Sequence, residues 1–249
     1  METRKLYNTD ASRWKRKEPN SLSDFTGRPA VFDLCGDVTG RSVLDAGCGE
    51  GYCSREMRIR GASRVLGIEL SEKMVDLAKA QEQEQSLGIE YQQGDVRKLD
   101  LPSESFDLVL AVFVFNYIST RDMQVAMKEM HRVLKGGGQF VFSVPHPCFA
   151  FMRQEKSAPF YFDMEGRGYF SGVDCQNQGK IFCRDGTELR VQAVHKTLQD
   201  YFDAFEAVGF RSMPVVKELR VLDKHLELDP AFFSPVKDIP LHMAFRLEK

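Results

Sequence analysis

The stretch 43–51 (V-L-D-A-G-C-G-E-G) constrains the fold of this chain more than any other. It begins with a short apolar run of the kind that forms a central parallel strand. Glycines then recur at alternate positions: Gly47, Gly49 and Gly51. Because glycine has no Cβ, this backbone can turn sharply and approach a ligand closely. A helical pattern starts at Tyr52, and the order strand, glycine-rich turn and helix predicts a nucleotide-type cofactor site.

The spacing of these glycines indicates which cofactor is bound. A dinucleotide fingerprint has glycines at its first, third and sixth positions, but the sixth position counted from Gly47 is Tyr52. With Asp45 and Cys48 the stretch instead reads D-x-G-C-G-x-G. This pattern resembles motif I of the class I S-adenosylmethionine-dependent methyltransferases, and the similarity covers residues 40–145. The resemblance implies S-adenosylmethionine as cofactor and S-adenosylhomocysteine as product.

Apolar runs alternate with helical patterns along most of the chain. The predicted strands are 42–46, 64–70, 89–92, 106–112, 139–144, 210–221 and 239–247. Alternation with helices of about ten residues or more is typical of a parallel, doubly wound sheet. We therefore predict an α/β fold with a mostly parallel, seven-stranded, Rossmann-like sheet. Within one domain we expect four segments: an N-terminal arm or lid (1–36), a cofactor-binding core (37–144), an inserted substrate cap (145–194) and a C-terminal completion of the core (195–249).

Capping residues predict where several helices begin and end. Ser71 and Thr197 are placed to cap the helices that follow them, and Ser119 with Asp122 fits a capping box. The glycine run 136–138 is expected to end the helix that Ser119 begins.

The segment 145–194 breaks the alternation and predicts the substrate cap. It is rich in phenylalanine and tyrosine, and a hairpin turn is expected at 184–187 (R-D-G-T). Its charges balance: six basic side chains stand against six acidic ones, with Arg153 and Lys156 among the former and Glu155 among the latter. A neutral, aromatic, partly β cap suits a planar or apolar small substrate better than a nucleic acid.

Composition excludes several other classes of protein. The net charge is −2 and the isoelectric point is near 6.2, so the chain lacks the basic surplus of most nucleic-acid-binding proteins. Its six cysteines form no C-x-x-C pair, and we expect reduced thiols and no metal site. No signal peptide and no membrane-spanning run is evident. We therefore predict a cytoplasmic protein that acts on a small molecule, without nucleic acid or membrane as partner.

The family resemblance implies roles for several side chains around the cofactor. Glu69 lies 22 positions after Gly47 and matches the acid that binds the ribose hydroxyls, with Leu70 against the adenine. Asp95 would accept from the adenine amine. The other candidates come from the motif, from strand ends and from the arm: Asp45, Gly47, Cys48, Gly49, Val96, Ala111, Val112, Tyr7, Trp14 and Arg28. Arg28 could pair with the methionine carboxylate. Two alternatives stay open, namely ordinary strand-end carboxylates at 69 and 95 and a solvated amphipathic arm.

Candidate catalytic residues follow the strands whose carboxyl ends meet at one edge. Methyl transfer from a sulfonium is an in-line displacement, so alignment supplies much of the acceleration, and a base helps when the acceptor carries a proton. His146, His195 and Tyr117 are the candidates, with Asn116 as a further residue that could orient the acceptor. The alternatives are a rigid Pro-His-Pro turn around His146 and a helix-entry role for His195.

The acceptor class rests on a narrower similarity. The run V-P-H-P-C-F and the later stretch 195–202 resemble bacterial small-molecule N- or O-methyltransferases of natural-product pathways, loosely those of the toxoflavin type that act on azapteridines. We expect methyl transfer to a nitrogen or oxygen of a small, planar aromatic or heteroaromatic metabolite. An RNA or protein methyltransferase, or a nucleotide-binding oxidoreductase of similar fold, is the alternative. A catechol-type metal site is not expected, because Ala111 stands where its first carboxylate would be.

Overall fold

A computed structural model describes residues 3–15, 18–152 and 159–249. Its α-helices are α1 (Thr3–Asp10), α2 (Leu22–Thr26), α3 (Arg28–Cys35), α4 (Tyr52–Ile59), α5 (Glu72–Gln85), α6 (Thr120–Val133), α7 (Leu198–Val208), α8 (Asp223–Leu228) and α9 (Pro230–Phe233). Its strands are β1 (Ser42–Ala46), β2 (Arg64–Glu69), β3 (Glu90–Gln93), β4 (Phe106–Val112), β5 (Leu134–Pro145), β6 (Phe160–Asp163), β7 (Gln176–Phe182), β8 (Glu188–Val194), β9 (Val215–Leu219) and β10 (His242–Glu248). Three charged residues of the predicted cap, Arg153, Glu155 and Lys156, lie outside the described residues.

The main sheet has seven strands in the order β3-β2-β1-β4-β5-β10-β9. The pairs β2–β3, β1–β2, β1–β4 and β4–β5 are parallel, whereas β10 runs antiparallel to both β5 and β9. The carboxyl ends of β1 to β5 therefore share one edge of the sheet with the amino end of β10. This topology confirms the predicted α/β, mostly parallel, seven-stranded fold.

Helices cover both faces of this sheet, as a doubly wound fold requires. One face packs against α3, α4 and α5, and the other packs against α6 and α7. Three methionines recur at helical spacing along α6 and are fully buried on the sheet face that α6 and α7 cover: Met123, Met127 and Met130. Apolar strands buried on both faces are what parallel sheets need.

Side-chain caps begin the three helices α5, α6 and α7 at the predicted residues. The Ser71 hydroxyl accepts from Met74 N, and Thr197 forms a complete capping box with Asp200. The box predicted at Ser119 is half formed. Its hydroxyl accepts from Asp122 N at 3.0 Å, but the Asp122 carboxylate accepts from Arg97 at 2.9 Å. A charge-assisted bond is the stronger choice for that carboxylate.

The glycines at 136–138 do not end α6, contrary to the prediction. The helix ends at Val133, and β5 begins at Leu134 and runs through the glycines. Phe106 of β4 pairs with Leu134 of β5, and Leu108 pairs with Gln139. The same stretch of sheet therefore holds more residues on β5 than on β4. The extra residues form a bulge, where Gly137 takes φ +75°.

The cap contains a second, three-stranded antiparallel sheet in the order β6-β7-β8. The predicted hairpin turn joins β7 to β8, with Cys183 N donating to Thr187 O at 2.9 Å and Gly186 at φ +82°. Two short helices, α8 and α9, were not predicted. They lie between β9 and β10 and pack with Leu22 and Phe160 in a separate apolar cluster. In the described part of the chain, no helix is both long and apolar enough to cross a membrane.

Candidate functional site

A cavity of about 430 Å³ lies along the edge where the strands end. This volume is in the range of about 300–1,000 Å³ that small-molecule sites occupy. Six neighbouring strands each contribute a lining residue at or just beyond this edge; in sheet order these are Asp95, Glu69, Asp45, Val112, Pro145 and His242. At a strand spacing of about 4.8 Å, five steps span roughly 24 Å. The cavity therefore crosses nearly the whole sheet.

The glycine-rich turn forms the wall of this cavity beside β1. Gly47 N and Cys48 N both donate to Ile68 O, at 2.7 and 3.0 Å, and tie the turn to β2. Gly47 has φ +76°, and a Cβ there would lie 2.5 Å from Cγ2 of Val114. Burial raises the pKa of the Cys48 thiol, which keeps it protonated. The turn is thus rigid and exposes backbone to the cavity.

Two backbone N–H groups hold the Glu69 carboxylate next to this turn. One oxygen accepts from Gly49 N at 3.1 Å and the other accepts from Ser71 N at 2.8 Å. Burial raises the pKa of the Glu69 carboxyl above its usual value. Leu70 lines the cavity beside it. The structure therefore places Glu69, Leu70 and the glycines together in the wall of one cavity.

Asp45 is the buried acid of the motif. Its Oδ2 accepts from Ser54 Oγ at 2.6 Å, and the residue is 1% exposed. Burial raises the pKa of Asp45 to about 6, with the Glu69 carboxylate acting in the same direction. Asp45 is therefore a carboxyl that a nearby positive charge would help to ionise.

The Asp95 carboxylate accepts hydrogen bonds from Arg97, a residue that the sequence analysis missed. Arg97 Nη2 donates to Asp95 Oδ2 at 2.6 Å, and its Nη1 donates to Asp122 Oδ2 at 2.9 Å. The bonds from Arg97 hold the pKa of Asp95 below its usual value. Arg97 and Val96 line the cavity with Asp95. The spacing D-x-R was the available signal for this pair.

The N-terminal helix α1 contributes Thr3, Arg4 and Tyr7 to the cavity lining. The Tyr7 hydroxyl donates to the Tyr117 hydroxyl, and the Tyr7 ring lies 5.4 Å from the ring of Trp14. Asn8 Oδ1 accepts from Ser71 Oγ at 2.6 Å, which ties α1 to the start of α5. At its other end, Thr3 Oγ1 accepts from Gln192 Nε2 of β8 at 2.7 Å. The helix bridges the cofactor-motif side and the cap.

Arg28 lies in the cavity wall at the start of α3. Its Nη1 donates to Asp24 Oδ1 at 2.6 Å and to Ser23 Oγ at 2.7 Å. Its guanidinium carbon lies 5.7 Å from the centre of the Phe113 ring. Arg28 Nε is buried and has no hydrogen-bond partner in the described part of the chain. One donor of this guanidinium is thus left for a ligand.

Three predicted residues do not line the main cavity. Ala111 is fully buried in β4, because side chains alternate along a strand and the half-buried Val112 takes the position that faces the cavity. His146 Nε2 is bonded to Glu218 Oε1 at 3.0 Å, and His195 Nε2 is bonded to Tyr169 O at 2.8 Å. Both histidines line a separate pocket of about 30 Å³. Burial lowers the pKa of His195.

Tyr117 and Asn116 do reach the main cavity, on the turn after β4. Burial raises the pKa of the Tyr117 hydroxyl, so this group keeps its proton. Asn116 is 5% exposed, and its Oδ1 has no partner among the described residues. Both side chains can therefore orient a ligand through hydrogen bonds.

His242, the first residue of β10, also lines the cavity and was not among the predicted site residues. It is 4% exposed, and burial lowers its pKa to about 3. The sequence did not reveal its position because the reversed direction of β10 brings its first residue, and not its last, to the cavity edge.

Comparison with known proteins identifies the family. A family model described as "Methyltransferase domain" matches residues 44–142. The chain is 32% identical over 193 residues to "Demethylmenaquinone methyltransferase" of Lactococcus lactis, covering 74% of this chain and 71% of that protein. It is 31% identical to "Ubiquinone biosynthesis O-methyltransferase" of Coxiella burnetii, covering 53% of this chain and 55% of the relative, about half its length.

Solved structures agree with this family. An S-adenosylmethionine-dependent methyltransferase of Mesorhizobium loti superimposes with a TM-score of 0.65 at 28% identity, covering 89% of this chain and 96% of that chain. A putative one from Listeria monocytogenes gives 0.65 at 26% identity over the same shares of the two chains. Because a named methyltransferase is matched over more than two thirds of its length on a shared fold, this chain belongs to the class I methyltransferases and uses S-adenosylmethionine as its cofactor.

Proposed function

We propose that this enzyme transfers a methyl group from S-adenosylmethionine to a nitrogen or oxygen of a small, planar aromatic or heteroaromatic metabolite. One observation supports this acceptor class above others. The cap contributes four apolar side chains to the cavity lining: Phe160, Phe162, Ile181 and Val191. Together with Tyr7 and Tyr117 they form apolar and aromatic walls, which suit a flat ring.

The cofactor would occupy the half of the cavity along β3, β2 and β1. We assign Glu69 to the ribose hydroxyls, Leu70 and Val96 to the adenine, and Asp95 to its amine. Asp95 already accepts from Arg97 at both oxygens, so the adenine amine would compete with Arg97 for one of them. Ala111 remains in the core and supports Val112.

The methionine end would lie near β1 and α3. Gly47 and Gly49, with Cys48 between them, supply backbone at close range, and Asp45 lies beneath them. The unpaired Nε of Arg28 could donate a hydrogen bond to the carboxylate of the cofactor's methionine end. Tyr7 and Trp14 would close over the cofactor as parts of the lid. When bound, the cofactor supplies a methyl group on sulfur with a good leaving group.

The acceptor would lie in the other half, near Tyr117 and Asn116. Tyr117 keeps its proton, so it would orient the acceptor by hydrogen bonding. His146 and His195 line the small neighbouring pocket, and their catalytic roles remain predictions. Loss of turnover in His146→Ala, with cofactor affinity retained, would be the sign of such a role.

The names of two relatives support a small-molecule acceptor. The Lactococcus relative is named for demethylmenaquinone and the Coxiella relative for ubiquinone biosynthesis. The balanced charge of the cap argues in the same direction, against an RNA or protein substrate. The narrower similarity to toxoflavin-type enzymes remains a prediction.

A screen with labelled cofactor tests this proposal. The enzyme is incubated with methyl-labelled S-adenosylmethionine and a panel of hydroxylated and aminated aromatic and heteroaromatic compounds. Mass spectrometry should detect a labelled product and S-adenosylhomocysteine for some compounds with the native enzyme, and for none with Glu69→Ala. Label that appears only in added RNA or protein would refute the proposal.

A further inference from the structure

Buried polar atoms without a partner gather at one cavity. Among the described residues, the side-chain atoms that are buried and lack a hydrogen bond include Arg28 Nε, Asn116 Oδ1 and both ring nitrogens of His242. All three residues line the main cavity. Because an unpaired buried polar atom is costly in a folded protein, these atoms point to a ligand that supplies their hydrogen bonds.

His242 is held in place on several sides. Its ring stacks on Phe160 of the cap, with centroids 5.3 Å apart and planes 18° apart. The ring of Phe113 meets it edge-on at 5.0 Å. A Cβ on Gly27 would lie 3.4 Å from its Cδ2, so the backbone also packs closely against it. A ring packed in this way has little freedom to turn toward another partner.

The imidazole of His242 is neutral at physiological pH. Burial lowers its pKa, and the charged or titratable groups that act on it, Arg28 of α3 and His146 beyond β5, lower it further. A neutral imidazole has one nitrogen that donates and one that accepts. Such a ring can bind a hydroxyl, an N–H or a carbonyl of a neutral ligand.

The position of His242 separates it from the cofactor motif. It pairs with Pro145 of β5 and Leu219 of β9, at the opposite end of the cavity from Glu69 and Asp95. The strands β1 and β4 lie between these two ends. Its ring also stacks on Phe160, one of the cap side chains in the cavity lining, and this contact favours the acceptor over the cofactor as the ligand of His242.

We propose that His242 is an acceptor-binding residue that selects planar rings carrying a neutral hydroxyl or N–H group. This inference rests on the proposed function. The stacked Phe160 presents an apolar surface next to the imidazole, and the imidazole hydrogen-bonds the polar group of the acceptor. A ring of the same shape without that group leaves both nitrogens unpaired and binds more weakly.

The test compares two probes of matched shape, 2-naphthol and 2-methylnaphthalene, on the enzyme loaded with S-adenosylhomocysteine. The native enzyme should bind 2-naphthol about tenfold more tightly or better, as expected for one buried hydrogen bond. An apolar cavity without that bond would favour the methyl compound. His242→Phe keeps an aromatic ring beside Phe160 but has no nitrogen to leave unpaired, so it should bind 2-methylnaphthalene at least as tightly as the native enzyme does and lose the preference for 2-naphthol.

Two further variants serve as controls. His131→Phe makes the same substitution on α6, where His131 meets Phe210 edge-on at 4.9 Å, outside the residues that line the cavity. It should keep the native preference. His242→Asn retains a donor and an acceptor and should keep part of it. Calorimetry with S-adenosylhomocysteine should give the native affinity for all three variants.

The outcomes separate this inference from the function on which it rests. Equal affinity of the native enzyme for the two probes, or a preference that persists in His242→Phe, overturns the role of His242 and leaves a planar acceptor standing. Failure of both probes to bind overturns the planar acceptor and the inference together. A native preference that His242→Phe abolishes supports His242, whatever the labelled-methyl screen finds.

Discussion

Burial of the Asp45 carboxyl makes the stability of this protein depend on pH. Burial raises the pKa of Asp45 in the folded protein to about 6, above its usual value of 3.8. A raised carboxyl pKa gives stability that is fully present below pH 4 and lost as the pH rises through 6. We expect Asp45 to lower the free energy of unfolding by up to about 3 kcal/mol over this interval.

Urea denaturation at pH 4, 5, 6 and 7 measures this effect. Asp45→Asn keeps a similar shape without the ionisation. The difference in unfolding free energy between the native protein and Asp45→Asn should therefore shift in favour of the variant as the pH rises from 4 to 6. Two curves that stay parallel over this range would contradict the assignment.

Two glycines of the motif differ in what a side chain would meet. Gly47 and Gly49 both have positive φ, but a Cβ on Gly47 would lie 2.5 Å from Val114, whereas the nearest atom to a Cβ on Gly49 is 3.8 Å away. Both alanine variants incur backbone strain. Gly47→Ala should lose about 1–3 kcal/mol more stability because of overpacking. Chemical denaturation compares them, and equal losses would show that Val114 moves aside freely.

At the scale of elements, α1 is held by a few side-chain bonds. Asn8→Ala removes the acceptor of Ser71 Oγ. A lost hydrogen bond of about 1 kcal/mol should speed local opening about fivefold. Amide hydrogen exchange in α1 should therefore rise in Asn8→Ala, with exchange in the buried strand β4 unchanged as the internal control. Native protection of α1 in the variant would mean that its apolar contacts alone hold it closed.

The elements that carry the cofactor motif were predictable because their signals are local. Apolar runs, glycines with positive φ and capping residues such as Ser71 and Thr197 determine β1 to β4 and the helices between them. The start of β5 was missed because three glycines suggested a helix end, whereas pairing with β4 through a bulge extends the strand. Such pairing is a long-range contact that a short window of sequence does not contain.

The catalytic candidates were harder to predict because strand order and side-chain direction decide them. His146 follows a predicted strand and His195 follows the predicted cap, yet their rings are bonded to Glu218 and Tyr169. His242 is the first residue of its strand and reaches the cavity because β10 is antiparallel. The sequence therefore indicated the edge of the sheet but not which histidine faces the cavity.

For the whole molecule, the cavity links ligand binding to stability. A ligand at one hundred times its dissociation constant stabilises the folded state by about 2.7 kcal/mol, which corresponds to a rise in Tm of about 5–10 °C for a chain of this size. S-adenosylhomocysteine should give such a rise with the native enzyme. NAD should give none, and a rise with NAD alone would contradict the family's cofactor at this site.

Glu69→Ala should reduce this rise to a small fraction, since the variant lacks the carboxylate next to the glycine turn. The matched control is Glu72→Ala, which removes an exposed carboxylate three residues away at the start of α5. It should retain the full rise. A full rise in Glu69→Ala would remove Glu69 from the proposed ribose site.

The direction of β10 also determines which end of the chain is suited to a fusion partner. Its first residue lies at the cavity, and its seven residues carry the chain across the sheet by roughly 24 Å. Lys249 then bonds to Gly137 and Gly138 at the far edge. At the other end, the described chain starts in the helix that lines the cavity. A fluorescent label or affinity tag placed after Lys249 should therefore leave ligand exchange unchanged, whereas one placed before α1 should slow it.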